Sequence, residues 1–279
     1  MNTVKEPRSL GDFMVKISKT VKARKERLLI YAGDGEGKTS FAAQGNKCVF
    51  AMTPGEDGLL TLMNSGQLPD TPYVDPIPDT IDVWMQSMLW FAEGKHRYGG
   101  GRLVIDTLNG VQSLLFSKIL AESFHGNDVE FGSWAAGERA AVKPWEDMLH
   151  LLDRIRLERD MSIVMLCHRA EQKYENPTGK DHTRIVPALS KWLWGPTGKW
   201  TDTTLFFDRV TVVTEEKGKA RGKATGGVQR ICHASRSATH DAKSRSGLPD
   251  MFKLGGSAKE SAKIVANEFK KAKAKGSAK

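Results

Sequence analysis

The sequence predicts an α/β fold in which a mostly parallel central sheet is flanked by helices and carries an antiparallel edge. Two observations lead there. Short, continuous apolar runs at 28–31, 48–52, 102–106 and 162–167 are separated by stretches long enough for helices, and unbroken apolar runs mark strands buried on both faces. The later runs at 204–207, 210–213 and 228–232 follow one another closely, as antiparallel neighbours do.

The first run, Leu28-Leu29-Ile30-Tyr31, leads into Ala32-Gly33-Asp34-Gly35-Glu36-Gly37-Lys38-Thr39 and then Ser40-Phe41-Ala42-Ala43. Strand, glycine-rich loop and helix start thus follow in the order of a P-loop, with Ala32 where the pattern has glycine. Glycines let the backbone N–H groups of residues 32–40 turn inward on one anion, and Lys38 reaches the β- and γ-phosphates. Thr39 is placed to ligate Mg²⁺. The implied cofactors are ATP and Mg²⁺.

After the second run comes Thr53-Pro54-Gly55-Glu56-Asp57-Gly58, which the sheet should bring to the same edge as the loop. Gly99-Gly100-Gly101 introduces the third run, which closes on Asp106, the position of a Walker B aspartate holding Mg²⁺ through water. Thr107-Leu108 follow it, so the water-activating carboxylate must come from elsewhere. Glu56 is the candidate base and Asp57 its rival. Met148, Leu151, Leu152, Ile155 and Leu157 show roughly helical spacing before the fourth run, which ends at Cys167-His168. On its own, His168 reads as a strand-end histidine.

Lys217, Lys219, Arg221 and Lys223 alternate with small residues between the last strands, a cationic hairpin tip able to follow a phosphate backbone. Residues 169–200 read as a loop that adds Lys173, Lys180 and Arg184 together with Tyr174, Trp192, Trp194 and Trp200. These rings suit base stacking, or a core or subunit interface.

The 279 residues carry a net charge of +9, and 39% are hydrophobic. That suits one substantial domain and a polyanionic partner. The expected division is a basic lead-in at 1–27, an ATPase core at 28–254 and a Lys/Ala-rich tail, helical or frayed with a solvated basic face, at 255–279. No apolar run matches a membrane span or a signal peptide, so a cytoplasmic protein without membrane partners is expected. Cys48, Cys167 and Cys232 lack metal-ligand spacing and read as reduced packing residues.

IYAGDGEGKT, LVIDTL, IVMLCH and AKSRSGLPDMF resemble the RecA-like P-loop NTPase core, and within it the phage nucleotide-binding proteins related to Sak-type single-strand annealing proteins, over roughly residues 28–250. The resemblance supports Glu56 as base and makes His168 a γ-phosphate sensor. It makes 174–189 a mobile DNA-gripping loop, and Lys243 and Arg245 cations inserted into a neighbouring subunit's ATP site. It implies a homo-oligomeric ring or filament on single-stranded DNA, a single-strand-binding protein as a possible partner, and an infected bacterial host. The function expected is recombination or annealing. A hexameric translocase or helicase, a small-molecule P-loop kinase and an ATP-switched binding protein are the alternatives.

Overall fold

The structure, a computed structural model, describes residues 24–45, 47–94, 96–176, 179–214 and 223–277. β1 (Arg27–Ala32) leads through the glycine loop to α1 (Lys38–Ala42), β2 (Cys48–Met52), α2 (Gly58–Asn64), α3 (Ile81–Glu93) and β3 (Arg102–Asp106). A helical layer follows: α4 (Leu108–Ser123), α5 (Asp128–Gly132), α6 (Ala136–Ala140) and α7 (Val142–Glu158). The chain then forms β4 (Ser162–Tyr174), β5 (His182–Pro187), α8 (Lys191–Trp200), β6 (Thr203–Thr214), β7 (Lys223–His233), β8 (Lys243–Ser244), β9 (Met251–Lys253) and α9 (Ala258–Ser277).

Strands hydrogen-bond in the order β2-β3-β4-β1-β6-β7-β9, with β5 on β4 and β8 on β6. The first five in that order are mutually parallel. β7, β8 and β9 pair antiparallel at the far side. This is the fold class that the unbroken apolar runs predict. The runs at 204–207 and 210–213, however, are one strand, β6, with a register irregularity between Arg209 and Thr211.

Alternate residues of β1 feed two cores. Leu29 and Tyr31 pack with Trp84, Leu115, Trp145 and Leu193, under α3, α4, α7 and α8. Leu28, Ile30 and Ala32 pack with Phe41, Leu59 and Val265, under α1, α2 and α9. Side chains that start helices satisfy otherwise orphaned N–H groups: Thr80 accepts from Val83, Thr107 from Gly110 and Ser190 from Trp192. Gly94, in the left-handed region, ends α3. Cys48, Cys167 and Cys232 are free and buried.

Two expectations change. Residues 169–200 are not one loop. β4 runs past His168 to Tyr174 and pairs with β5 from Arg169↔Pro187 to Tyr174↔His182, and α8 carries the tryptophans. The strand extension is largely exposed and polar, so it lacks the apolar signal by which buried strands are read. The segment after residue 254 is also more than a solvated tail. Lys259, Lys263, Lys270 and Lys271 are exposed, but Val265 and Ala272 are buried in the core that holds Phe41 of α1.

Replacing Val265 with Asp would therefore place a carboxylate in that core. A loss of about 2 kcal/mol or more is expected from the urea unfolding midpoint, whereas an undocked helix would leave the midpoint unchanged.

Candidate nucleotide site

The carboxyl ends of parallel strands share one edge of a sheet, where open α/β folds bind ligands. β1 ends there at Ala32, level with His168 of β4. β3 ends there at Asp106, level with Met52 of β2.

Gly37 closes the loop at φ 77°, a conformation glycine adopts without strain. The next residue, Lys38, is buried, and its ammonium donates to the Ala32 and Gly33 carbonyls at 3.3 and 3.0 Å. Burial lowers its pKa, and the Asp34 and Asp106 charges oppose that. In this position the Lys38 ammonium donates to neutral carbonyls, which the anionic oxygens of a phosphate can replace as stronger acceptors.

Thr39 Oγ1 donates to Asp106 Oδ2 at 2.8 Å. Asp106 is 2% exposed, and burial raises its pKa to about 6 despite the Thr39 hydrogen bond. A buried carboxylate in contact with a hydroxyl, both hard oxygen donors, fits a divalent cation of the Mg²⁺ class. The approach of α4 to Thr53 depends on Gly110, where a Cβ would lie 1.9 Å from Thr53 Oγ1. That same oxygen accepts from the Thr107 N–H at 3.2 Å.

Glu56 lies in the turn after β2, where its N–H donates to Thr53 O at 3.2 Å. Its Oε1 accepts from Thr107 Oγ1 at 2.9 Å and faces His168 Nε2 at 3.0 Å. The other ring nitrogen, Nδ1, is 2.7 Å from Asp34 Oδ1. Ionised carboxylates only accept, and imidazolium donates from both nitrogens, so protonated His168 satisfies both partners at once. The Glu56 hydrogen bond is the largest influence raising the His168 pKa, and the His168 hydrogen bond is the largest lowering that of Glu56. Asp57 is exposed at the start of α2. Glu56 is thus the carboxylate that meets Thr107 and His168.

Several residues here escaped the sequence reading. Asn109 Oδ1 accepts from the His168 N–H at 2.8 Å and fixes the end of the buried part of β4. Its place in the first turn after Asp106 is the signal that could have found it. Arg209 of β6 donates to both Glu36 carboxylate oxygens at 2.8 and 3.0 Å. Arg230 of β7 donates to the Glu36 carbonyl. Both arginines lie just past the apolar cores of strands on the far side of β1.

The structure separates the remaining candidates. Lys243 and Arg245 belong to the strand β8 and its exit, paired with the start of β6, at the edge opposite their own P-loop. Lys243 donates to the Gly198 carbonyl, and burial lowers its pKa to about 8. Arg245 donates to Lys199 O at 2.9 Å and pairs with Asp202 at 3.5 Å. Both cations hold the carboxyl end of α8. Lys217, Lys219 and Arg221 lie outside the described residues, and Lys223 begins β7.

Among the expected DNA contacts, Lys180 is exposed and Lys173 pairs with Asp181 at 2.8 Å. Arg184 must be corrected. It is 7% exposed and bonded to Asp241 at 2.5 Å, because β5 turns its side chain inward, so it is a packing and pairing residue. Trp194 and Trp200 donate to Asp241 and Asp153 at 3.3 and 2.9 Å. Trp192 is the exposed ring of α8.

A glycine loop closing on a buried lysine, with an acid ending a strand one removed from it in the sheet, makes this a P-loop nucleotide-binding domain. The chain belongs to the AAA domain family, whose model matches residues 24–246. The crystal structure of the RadB recombinase is similar at 11% sequence identity and a TM-score of 0.44, over 85% of this chain and 90% of that one. No curated protein matches. Among the described residues, no helix is long and apolar enough to cross a membrane.

The His168–Glu56 pair sets a pH window. His168 is raised above 6.5, so its contribution to stability is full below 6.5 and fades as pH rises through the folded value. Glu56 is depressed below 4.5, so its contribution is full above 4.5 and fades as pH falls through the folded value. Coupling in a Glu56→Gln, His168→Gln double-mutant cycle should be largest between these limits. NMR titration should place His168 above 6.5, and Glu56→Gln should lower it; an unchanged titration would break the assignment.

Proposed function

We propose that this protein is an ATP-dependent, Mg²⁺-requiring ATPase of RecA-like type that works as a homo-oligomer on single-stranded DNA, in recombination or annealing. The observation that carries the ATPase reading is Glu56, held at 3.0 Å from His168 and 2.9 Å from Thr107 on the same sheet edge as Lys38, Thr39 and Asp106.

In this reading Lys38 moves from the Ala32 and Gly33 carbonyls onto the β- and γ-phosphates. Thr39, and Asp106 through water, would hold Mg²⁺, which would supply charge neutralisation at the phosphate oxygens. Water attacks the γ-phosphorus, the bond to the β-phosphate bridging oxygen breaks, and the water proton passes to Glu56. His168 switches partner: donation from Nε2 to a γ-phosphate oxygen frees Glu56 Oε1 for the water. This is the physical content of a sensor, because the base is released when the phosphate arrives.

The placement of Lys243 and Arg245 away from their own P-loop supports action on a neighbouring subunit, with release from the α8 carbonyls as the accompanying change. DNA binding draws support from the net charge of +9, from the sequence of Lys217, Lys219, Arg221 and Lys223, and from exposed Lys173 and Lys180 on the β4–β5 hairpin. A single-strand-binding protein partner and a phage-infected bacterial cytoplasm remain part of the proposal through the annealing-protein resemblance.

ATP hydrolysis measured with and without single-stranded DNA tests the reading. Lys38→Ala should lose nucleotide binding. Glu56→Gln should keep it while turnover falls about 10²–10⁴-fold; turnover at the parental rate would remove Glu56 as base. Parental protein with ATP and Mg²⁺ should bind single strands with a logarithmic salt slope of about 0.7 per phosphate contact. Neutralising Lys217, Lys219, Arg221 and Lys223 together should flatten that slope. Absence of binding at low salt would end the recombination reading.

Mixing Lys38→Ala with Arg245→Ala protein should restore part of the hydrolysis that each lacks alone, because mixed assemblies contain interfaces with both groups intact. Parental activity in an isolated Arg245→Ala monomer would rule out the neighbour role.

A further inference from the structure

Strands β6 and β7 place Arg209 and Arg230 directly opposite one another in their antiparallel ladder. Like charges in that position repel. Both reach the same P-loop residue by different routes. Arg209 takes the Glu36 carboxylate with two hydrogen bonds at 2.8 and 3.0 Å, and also donates to Gly227 O at 2.7 Å. Arg230 takes the Glu36 backbone carbonyl at 2.5 Å, and a Cβ built on Gly37 would lie 3.2 Å from Arg230 Nη2.

The Arg230 guanidinium therefore rests against the Glu36–Gly37 peptide, one residue short of Lys38, and the residue is half-buried. The Glu36 carboxylate oxygens are engaged by Arg209. Burial and the neighbouring Arg209 both act to lower the Arg230 pKa, with Glu36 opposing them. A guanidinium has five N–H donors in a planar fork and matches phosphate oxygens two at a time. With one donor on the Glu36 carbonyl, others remain for an anion seated in the loop.

We propose that Arg230 is a nucleotide-binding residue acting within its own chain, contacting the α- and β-phosphates from the β6–β7 side of the P-loop. Position selects these phosphates. The backbone at the start of α1 cradles the α- and β-phosphates in a P-loop, and Arg230 adjoins that stretch at Glu36 and Gly37. The residues assigned to the γ-phosphate, Glu56 and His168, lie on the opposite, β4 side of β1. Arg209 is a positioning residue here. By occupying the Glu36 carboxylate, it keeps that carboxylate from neutralising Arg230.

The inference rests on the nucleotide-binding reading, and a comparison of ADP with ATP separates the two. Full-length parental protein, Arg230→Ala and Arg230→Gln are titrated with fluorescent ADP and with a non-hydrolysable ATP analogue in Mg²⁺. Circular dichroism and the nucleotide-free melting temperature check the fold. Both variants should lose affinity for both nucleotides by about tenfold or more, the scale of one charge-assisted hydrogen bond, with similar losses for ADP and ATP. Glutamine can still donate to the Glu36 carbonyl. Parental affinity in Arg230→Gln would make Arg230 a strut for the loop and overturn the proposal.

A loss confined to the ATP analogue would place Arg230 at the γ-phosphate and overturn it as well. So would affinities within twofold of parental in Arg230→Ala. If parental protein bound neither nucleotide, the nucleotide-binding reading itself would fail. Arg209→Ala gives an independent check, since a freed Glu36 carboxylate should pair with Arg230 and weaken ADP binding. Adding Glu36→Gln should restore part of the loss; no restoration would overturn the positioning role of Arg209.

Discussion

The hydrogen-bond ladder on the two sides of β1 is the constraint on which everything at the site depends. Pairing with β4 fixes Ala32 level with His168, and pairing with β6 fixes Tyr31 level with Phe206. A side-chain period of two means that a slip by one residue would turn Leu29 and Tyr31 toward the wrong core. Apolar packing on both faces therefore fixes the register, and the register sets how far the glycine loop stands from His168 on one side and from Arg209 and Arg230 on the other.

From this frame the site is assembled by short local devices. Thr107 both starts α4 and donates to Glu56, so the cap of one helix orients a carboxylate from a different loop. Asn109, two residues on in the same turn, holds the His168 N–H. Gly110 lets that turn approach Thr53. Lys38, Asp106 and His168 thus stand on a helix start and on strand ends, which position groups more rigidly than free loops, and Glu56, in the turn after β2, is held by Thr107 and His168.

The parts of this arrangement legible in the sequence are those whose physics is local. The P-loop is a contiguous string, and Asp106 closes an apolar run, so both can be read without knowledge of neighbours. Glu56 was legible through the order of strands, since a loop after a parallel strand falls at the same edge as the P-loop. Arg209 and Arg230 were not, because their importance comes from a cross-strand register that brings them to Glu36 from far along the chain. Arg184 was misread for the converse reason: an arginine among polar residues looks like surface, and only the pairing of β5 shows that it turns toward Asp241. The polar ladder of β4 beyond His168 and the docking of α9 were hidden in the same way, since each depends on a partner rather than on its own hydrophobic pattern.

The contact between α9 and the face bearing α1 has a consequence for the order in which the molecule can be completed during synthesis. Val265 shares a core with Phe41, so the helix that follows the glycine loop is covered by a segment translated long after it. While the ribosome is still producing the strands, Phe41 and its neighbours lack that cover. The nascent chain can form its central parallel pairs, yet the side of the sheet that supports the phosphate loop closes only when the carboxyl-terminal helix has emerged.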